Sequence, residues 1–312
     1  MSKTENLYIS ILKFTSGGEY IMEKINGVLN ILINKGLIID DNLRLEGLKN
    51  GTTDGVLYTL FINNIPTFVV KIDTPKIITA TQGFLSAYSN VELLPDVLYT
   101  GDKKEFIVYS YIPGETHYNR GPKLEWMKIL INELFNKYQE VDNDIPWGRV
   151  NGLHRNSWSE FNQSSFDFAQ KNIDNLLPSD DHKRVEILIN KLKAYHNQEK
   201  KYYLHGDTGV HNFVFLDNKI KGVIDPSPLI GPKVYDFTYA FCSSPDSLNK
   251  TTLFSLFSLW KNDASFSKER LIDEVLFQLY TRIGVCIKVH PHDLSAYIKA
   301  WKEWREYLPP KN

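Results

Sequence analysis

The chain has 312 residues, of which 42% are hydrophobic, and carries 36 Lys and Arg against 37 Asp and Glu, a formal net charge of -1. That composition supports a sizeable core in two lobes, and the near-zero charge offers no strong field to nucleic acid or to an anionic membrane. Two cysteines, Cys242 and Cys286, exclude a disulfide framework, and no apolar run approaches the length of a membrane span. The polar start at residues 1–6 does not read as a signal peptide, so a cytoplasmic location in a reducing compartment is the expectation.

Residues 1–40 read as a helical N-terminal extension. Ile9, Ile11, Leu12 and Phe14 precede a Ser16-Gly17-Gly18 break. A second periodic run, Ile21, Ile25, Val28, Leu29, Leu32 and Ile33, ends at Gly36. Amphipathic helices of this kind cover a core.

Strand patterns occupy residues 41–112. Leu43-Arg44-Leu45 leads into a Gly-rich turn from Gly47 to Gly55 with Gly51 at its middle. Backbone N–H groups in such a turn can approach phosphates closely, although taken alone it reads equally as a flexible tip. The spacing does not match the Gly-rich phosphate loop that ends in Gly-Lys-Ser/Thr. The runs 56–62 and 67–71 flank Asn63-Asn64, a hairpin turn, and Lys71 closes the second run. Pro75 to Tyr88 reads as a helix with Pro at its start. Two more strands, 94–99 and 105–112, stop at Pro113-Gly114.

After Gly114 the chain becomes mainly helical. The periodicity predicts helices over 124–141, 161–176, 184–196, 235–241, 252–261, 267–287 and 292–307. Trp147 and Trp158 lie in connecting segments and read as packing residues. His154 and Arg155 beside them are given no role.

Between these helices lies the stretch that carries chemistry: His205-Gly206-Asp207-Thr208-Gly209-Val210-His211-Asn212, then Val223-Ile224-Asp225-Pro226 and Tyr235-Asp236. A carboxylate and an amide at D-x-x-x-x-N spacing sit in a polar loop between short apolar strands, and a second carboxylate ends the next strand. This layout can give two oxygen ligands to a hard cation and keep one carboxylate for a proton. Mg²⁺ prefers a few such oxygens together with substrate phosphates. His205 and His211 have no cysteine or carboxylate at zinc-like spacing, so a loop-bracing His205 is the better reading.

These residues resemble the aminoglycoside phosphotransferase family, small-molecule kinases on the kinase-like fold, and most of all its streptomycin-kinase-like members. The recognisable residues span 202–241, and the layout extends from residue 43 to the C-terminus. The resemblance implies an α+β, bilobal protein-kinase-like fold: a small antiparallel sheet as N-lobe over 41–112 and a mainly helical C-lobe over 113–312. It implies Asp207 as catalytic base and Asn212 and Asp225 as Mg²⁺ ligands. Lys71 and the Gly51 turn would meet the phosphates of ATP (or GTP), Ser110 and Ile112 would hold adenine through their backbones, and His205 and Asp236 would support the loop. Gly206 in place of Arg, Pro226 after Asp225 and the lack of an activation segment depart from protein kinases. The helix over 75–88 has no Glu to hold Lys71, and Gln82 is the nearest polar substitute.

The implied activity is Mg-ATP-dependent phosphorylation of a hydroxyl on a small molecule, with no nucleic-acid or membrane partner. The acceptor is either an aminoglycoside-type antibiotic or a hydroxylated metabolite such as an amino alcohol or sugar. A kinase-like nucleotide-binding protein with little turnover is the non-enzymatic alternative. A cationic acceptor calls for an acidic cleft, for which Asp246, Asp263, Glu269, Asp273 and Glu274 are available, although surface helices carry such charges anyway.

Overall fold

The computed structural model describes residues 18–39, 42–47, 55–196, 199–261 and 266–310. Gly51, most of its turn, Asp263 and the segment before residue 18 lie outside the described residues. The chain divides into two compact units, 1–113 and 114–312.

The first unit is built on a five-stranded antiparallel sheet: β1 (Leu43–Gly47), β2 (Val56–Ile62), β3 (Ile65–Ile72), β4 (Val97–Thr100) and β5 (Phe106–Ser110), in the order β1-β2-β3-β5-β4. Asn63 and Asn64, both with positive φ, form the tight turn between β2 and β3, as Asn tolerates that conformation. α1 (Gly18–Asn34) lays Ile25, Val28, Leu29 and Leu32 into one core with Leu45, Leu60, Val70 and Val108 of the sheet. α2 (Pro75–Ala87) begins on Pro75, whose missing N–H costs nothing in a first turn.

The second unit is mainly helical. A short strand, β6 (Glu115–Thr116), comes first, then α3 (Lys123–Glu133). The helix expected over 124–141 ends at Glu133, and a single 3-10 turn over Phe135–Lys137 follows it. Beyond that turn Gln139 O accepts from Tyr203 N–H (3.0 Å) and Val141 N–H donates to Lys201 O (2.9 Å), so residues 139–141 are held extended. Tertiary hydrogen bonds override the helical period at that point. β7 (Gly148–Arg149), α4 (Trp158–Ile173) and α5 (Ser179–His196) follow. Ser157 caps α4 by accepting the Glu160 N–H at 3.2 Å.

Then come β8 (Tyr202–Leu204), β9 (Phe213–Leu216), β10 (Lys219–Val223) and β11 (Leu229–Gly231), then α6 (Val234–Cys242), α7 (Lys250–Phe257), α8 (Lys268–Val289) and α9 (Leu294–Trp304). The strands form two small sheets, β10-β9-β6 and β7-β11-β8. Asp217 and Asn218, again with positive φ, turn β9 into β10. Both cysteines are free and buried. Among the described residues no helix is long and apolar enough to cross a membrane.

Candidate active site

β8 and β11 pair antiparallel, and the loops that leave them are stitched together. Ser227 N–H donates to His205 O at 3.0 Å, and the His205 ring Nε2 lies 3.1 Å from Ile224 O. His205 thus bridges the segment ahead of Asp207 and the one ahead of Asp225. Asp207 N–H points at His205 Nδ1 over 3.3 Å. Burial lowers the His205 pKa to about 4, despite the nearby charges of Asp207 and Asp225, so the ring works as a neutral bridge.

Gly206 has φ +79, and a Cβ there would collide with Ser227 O and the Arg149 guanidinium. Arg149 Nη1 donates to Gly206 O at 2.7 Å and to Ser227 O at 2.5 Å, closing the two loops from the other side. Gly206 N–H donates to both oxygens of the Asp236 carboxylate, at 3.1 and 3.2 Å. Tyr138 Oη donates to the same carboxylate at 2.6 Å, and Thr208 Oγ1 donates to Asp236 O at 2.9 Å. Burial raises the Asp236 pKa to about 6, against the hydrogen bonds from Tyr138 and Gly206.

The carboxylate of Asp207 remains 27% exposed, so a ligand can reach it. Burial pushes its pKa up, but His211, His205 and Arg149 outweigh that and hold it well below the usual carboxylate range. His211 Nε2 sits 3.2 Å from Asp207 Oδ2. Asn212 Nδ2 donates to Asp207 O at 2.9 Å and to Oδ2 at 3.0 Å. No protein donor among the described residues reaches Asn212 Oδ1. Asn212 O accepts from Ile224 N–H at 2.9 Å, which brings Asp225 beside the loop. Asp225 itself has φ +53, a conformation that Asp and Asn tolerate better than other side chains.

One free amide oxygen and one carboxylate suit Mg²⁺, which takes its remaining ligands from phosphates and water. Among the described residues no group of three or more His, Cys, Asp or Glu is placed to hold a metal ion by itself. Three imidazoles crowd the same place: the rings of His117, His211 and His290 lie 6.2 to 6.4 Å apart. Burial first, then His211 for His117 and Arg282 for His290, lowers both of these below the usual imidazole value.

In the first unit Lys71 is buried on β3, between Leu57 and Ile107 across the sheet. Gln82 Oε1 accepts from Lys104 Nζ at 2.8 Å. Ser110 N–H donates to Asp96 O at 2.8 Å, so an adenine contact from Ser110 would have to use its carbonyl. Ile112 N–H has no protein acceptor among the described residues. The acids named for a cationic acceptor are otherwise engaged: Asp246 with Arg120, Glu269 and Asp273 with Lys191, Glu274 with Arg270.

Sequence reasoning passed over Arg149, Arg155 and Arg282. All three line a cavity of about 340 Å³ beside α4, α6 and α8. No local signal marks them, because residues 149, 155 and 282 meet only in the folded chain.

No protein-family model matches this chain, and no curated protein matches it in sequence. Solved structures do match. Aminoglycoside phosphotransferase APH(4)-Ia is 16% identical at a TM-score of 0.58, covering 92% of this chain and 100% of that one. APH(2'')-Ib with ADP bound is 19% identical at 0.54, covering 90% and 97%. APH(2'')-IIa, in a ternary complex with streptomycin and ATP, is 18% identical at 0.56, covering 96% and 99%. A small antiparallel sheet followed by a helical unit, with these neighbours, gives the chain the kinase-like fold of the aminoglycoside phosphotransferases.

Proposed function

We propose that this chain is a Mg-ATP-dependent phosphotransferase acting on a hydroxyl of a small molecule. The observation that carries the reading is the bond pair from Asn212 Nδ2 to Asp207 O and Oδ2. It fixes an ionised, reachable carboxylate and turns an amide oxygen to other use. Asn212 Oδ1 and the Asp225 carboxylate would hold Mg²⁺, which when bound with nucleotide supplies neutralisation of charge on the phosphate oxygens.

The acceptor oxygen attacks the γ-phosphorus. The new O–P bond forms as the bond to the β–γ bridging oxygen breaks, and ADP leaves. The hydroxyl proton passes to Asp207. The transition state of such transfers is loose, so Asp207 chiefly orients the hydroxyl and takes its proton late. His211 and Asn212 keep its carboxylate in place, while Asp236, His205 and Arg149 keep the loop in place. Lys71 would contact the nucleotide phosphates, and the Ser110 carbonyl and Ile112 N–H would meet the adenine edge. A GDP complex of an aminoglycoside phosphotransferase among the similar structures keeps GTP as an alternative donor.

An aminoglycoside acceptor rests on likeness of fold alone, and a hydroxylated metabolite fits that likeness equally. The test is incubation with Mg-ATP and a panel of both kinds, read by mass spectrometry for a phosphorylated product. ATP consumed with no product of either kind, or no consumption at all, counts against the reading.

A further inference from the structure

The cavity of about 340 Å³ lies within the second unit and has the volume of a small-ligand site. Its charged lining is three arginines, Arg149, Arg155 and Arg282, against one acid, Glu274. That acid is paired with Arg270 at 3.4 Å. Arg149 ties the wall to the catalytic loop through Gly206 O, the residue before Asp207. Tyr239, also in the lining, lies within the field of Asp207, which adds to burial in pushing its phenol well above the usual value.

Two of the arginines have unused donors. Arg282 is 6% exposed; its Nε donates to Tyr297 Oη and its Nη2 to Ser243 O, and Nη1 has no protein acceptor among the described residues. The Arg155 guanidinium has none at all among them. Flat apolar walls complete the space: Phe161 stacks on Trp158 at 4.5 Å and 13°, and Phe168, half exposed, stands at the edge. The unused Nη1 of buried Arg282 and the unpaired guanidinium of half-buried Arg155 match a carboxylate or phosphate, and the same wall repels a polycation.

Resting on the kinase reading above, we propose that the phosphate acceptor is an anion: a hydroxylated small molecule with a flat apolar body and a carboxylate or phosphate group. Arg155 and Arg282 hold the anionic group, and the hydroxyl faces Asp207. Polycationic aminoglycosides are not the acceptor.

The test is titration calorimetry on the full chain loaded with Mg²⁺ and the non-hydrolysable nucleotide AMP-PNP. 4-Hydroxyphenyllactate and uridine 5′-monophosphate are the anionic probes; streptomycin and hygromycin B are the cationic ones. At least one anion binds, neither cation does, and Arg155→Glu weakens the anion by about tenfold or more while Arg155→Lys keeps part of the affinity. Arg155 is not in the buried core, so thermal melts of both variants match the wild type. Binding of either cation to the wild-type chain overturns the proposal, as does failure of both anions on the nucleotide-loaded chain or unchanged anion affinity in Arg155→Glu. If the chain does not take up Mg-AMP-PNP, the kinase reading itself falls, and this proposal with it.

Discussion

Asn212 Nδ2 lies 2.9 Å from the carbonyl oxygen of Asp207 and 3.0 Å from its Oδ2. A single planar amide therefore fixes both the backbone and the carboxylate of a residue five positions earlier. The tether and the proposed ion ligand are the two ends of one side chain.

Asn212→Asp replaces the donor by a second carboxylate against Asp207. Turnover is expected to fall about a hundredfold or more, with a higher Mg²⁺ requirement. Asp207→Asn keeps the shape and removes the proposed proton acceptor; kcat is expected to drop by about 10² to 10⁴ with nucleotide affinity little changed. Steady-state kinetics with parallel nucleotide titrations check both, and wild-type kcat in either variant removes that residue from the site.

At position 225, charge and backbone conformation can be separated. Asn tolerates the positive φ of Asp225, so Asp225→Asn should melt like the wild type yet lose the Mg²⁺-dependence of nucleotide binding. Asp225→Ala should lose that dependence and also about 1–2 kcal/mol of stability. Identical nucleotide curves with and without Mg²⁺ in the wild type would remove the basis of this prediction.

Two buried groups pull the acid stability profile in opposite directions. His205 has a folded pKa of about 4 against 6.5 when free, so its share of stability is present above 6.5 and lost as pH falls towards 4. Asp236 is raised from 3.8 to about 6, so its share is present below 3.8 and lost as pH rises through 6. Over the shared window the two slopes oppose. Asp236→Asn removes one of them, so the variant should lose more stability than the wild type when taken from pH 6.5 to 4. Urea denaturation at intervals across that range decides it; parallel profiles would show that Asp236 does not titrate as described.

Gly206→Ala places a methyl against Ser227 O in a left-handed conformation. A loss of at least about 2 kcal/mol is expected, together with loss of turnover because Asp207 is the next residue. A melt and an activity assay on the same sample test both parts.

Leu29 and Leu32 of α1 are 1% and 0% exposed in the core of the first unit. Truncating either to Ala should cost about 2–5 kcal/mol in that unit. An unchanged denaturation midpoint would mean that α1 is not part of the cooperative core.

The strands of the first unit were legible because alternation, Asn63-Asn64 and Pro113-Gly114 all mark boundaries locally. That Asp207, Asn212 and Asp225 lie close together was legible because their spacing is short; the roles proposed for them rest on their chemistry, which is unusual for a loop. The extended course of residues 139–141 was not legible, since what holds it is pairing with residues 201–203, far along the chain. Gln82 could be named as a substitute partner for Lys71, but Lys104, which engages it, belongs to a different loop. The arginine-lined cavity was hidden for the same reason: its donors converge from β7, the segment after it and α8.

The hairpin of β9 and β10 has a further implication. Asn212 stands just before it and Asp225 just after, and its turn is the two residues Asp217 and Asn218. Both oxygens proposed for the ion thus belong to one contiguous stretch with short-range pairing. Low contact order favours early formation, so this half of the centre can take shape as a local event during folding, before distant helices arrive to close the acceptor side.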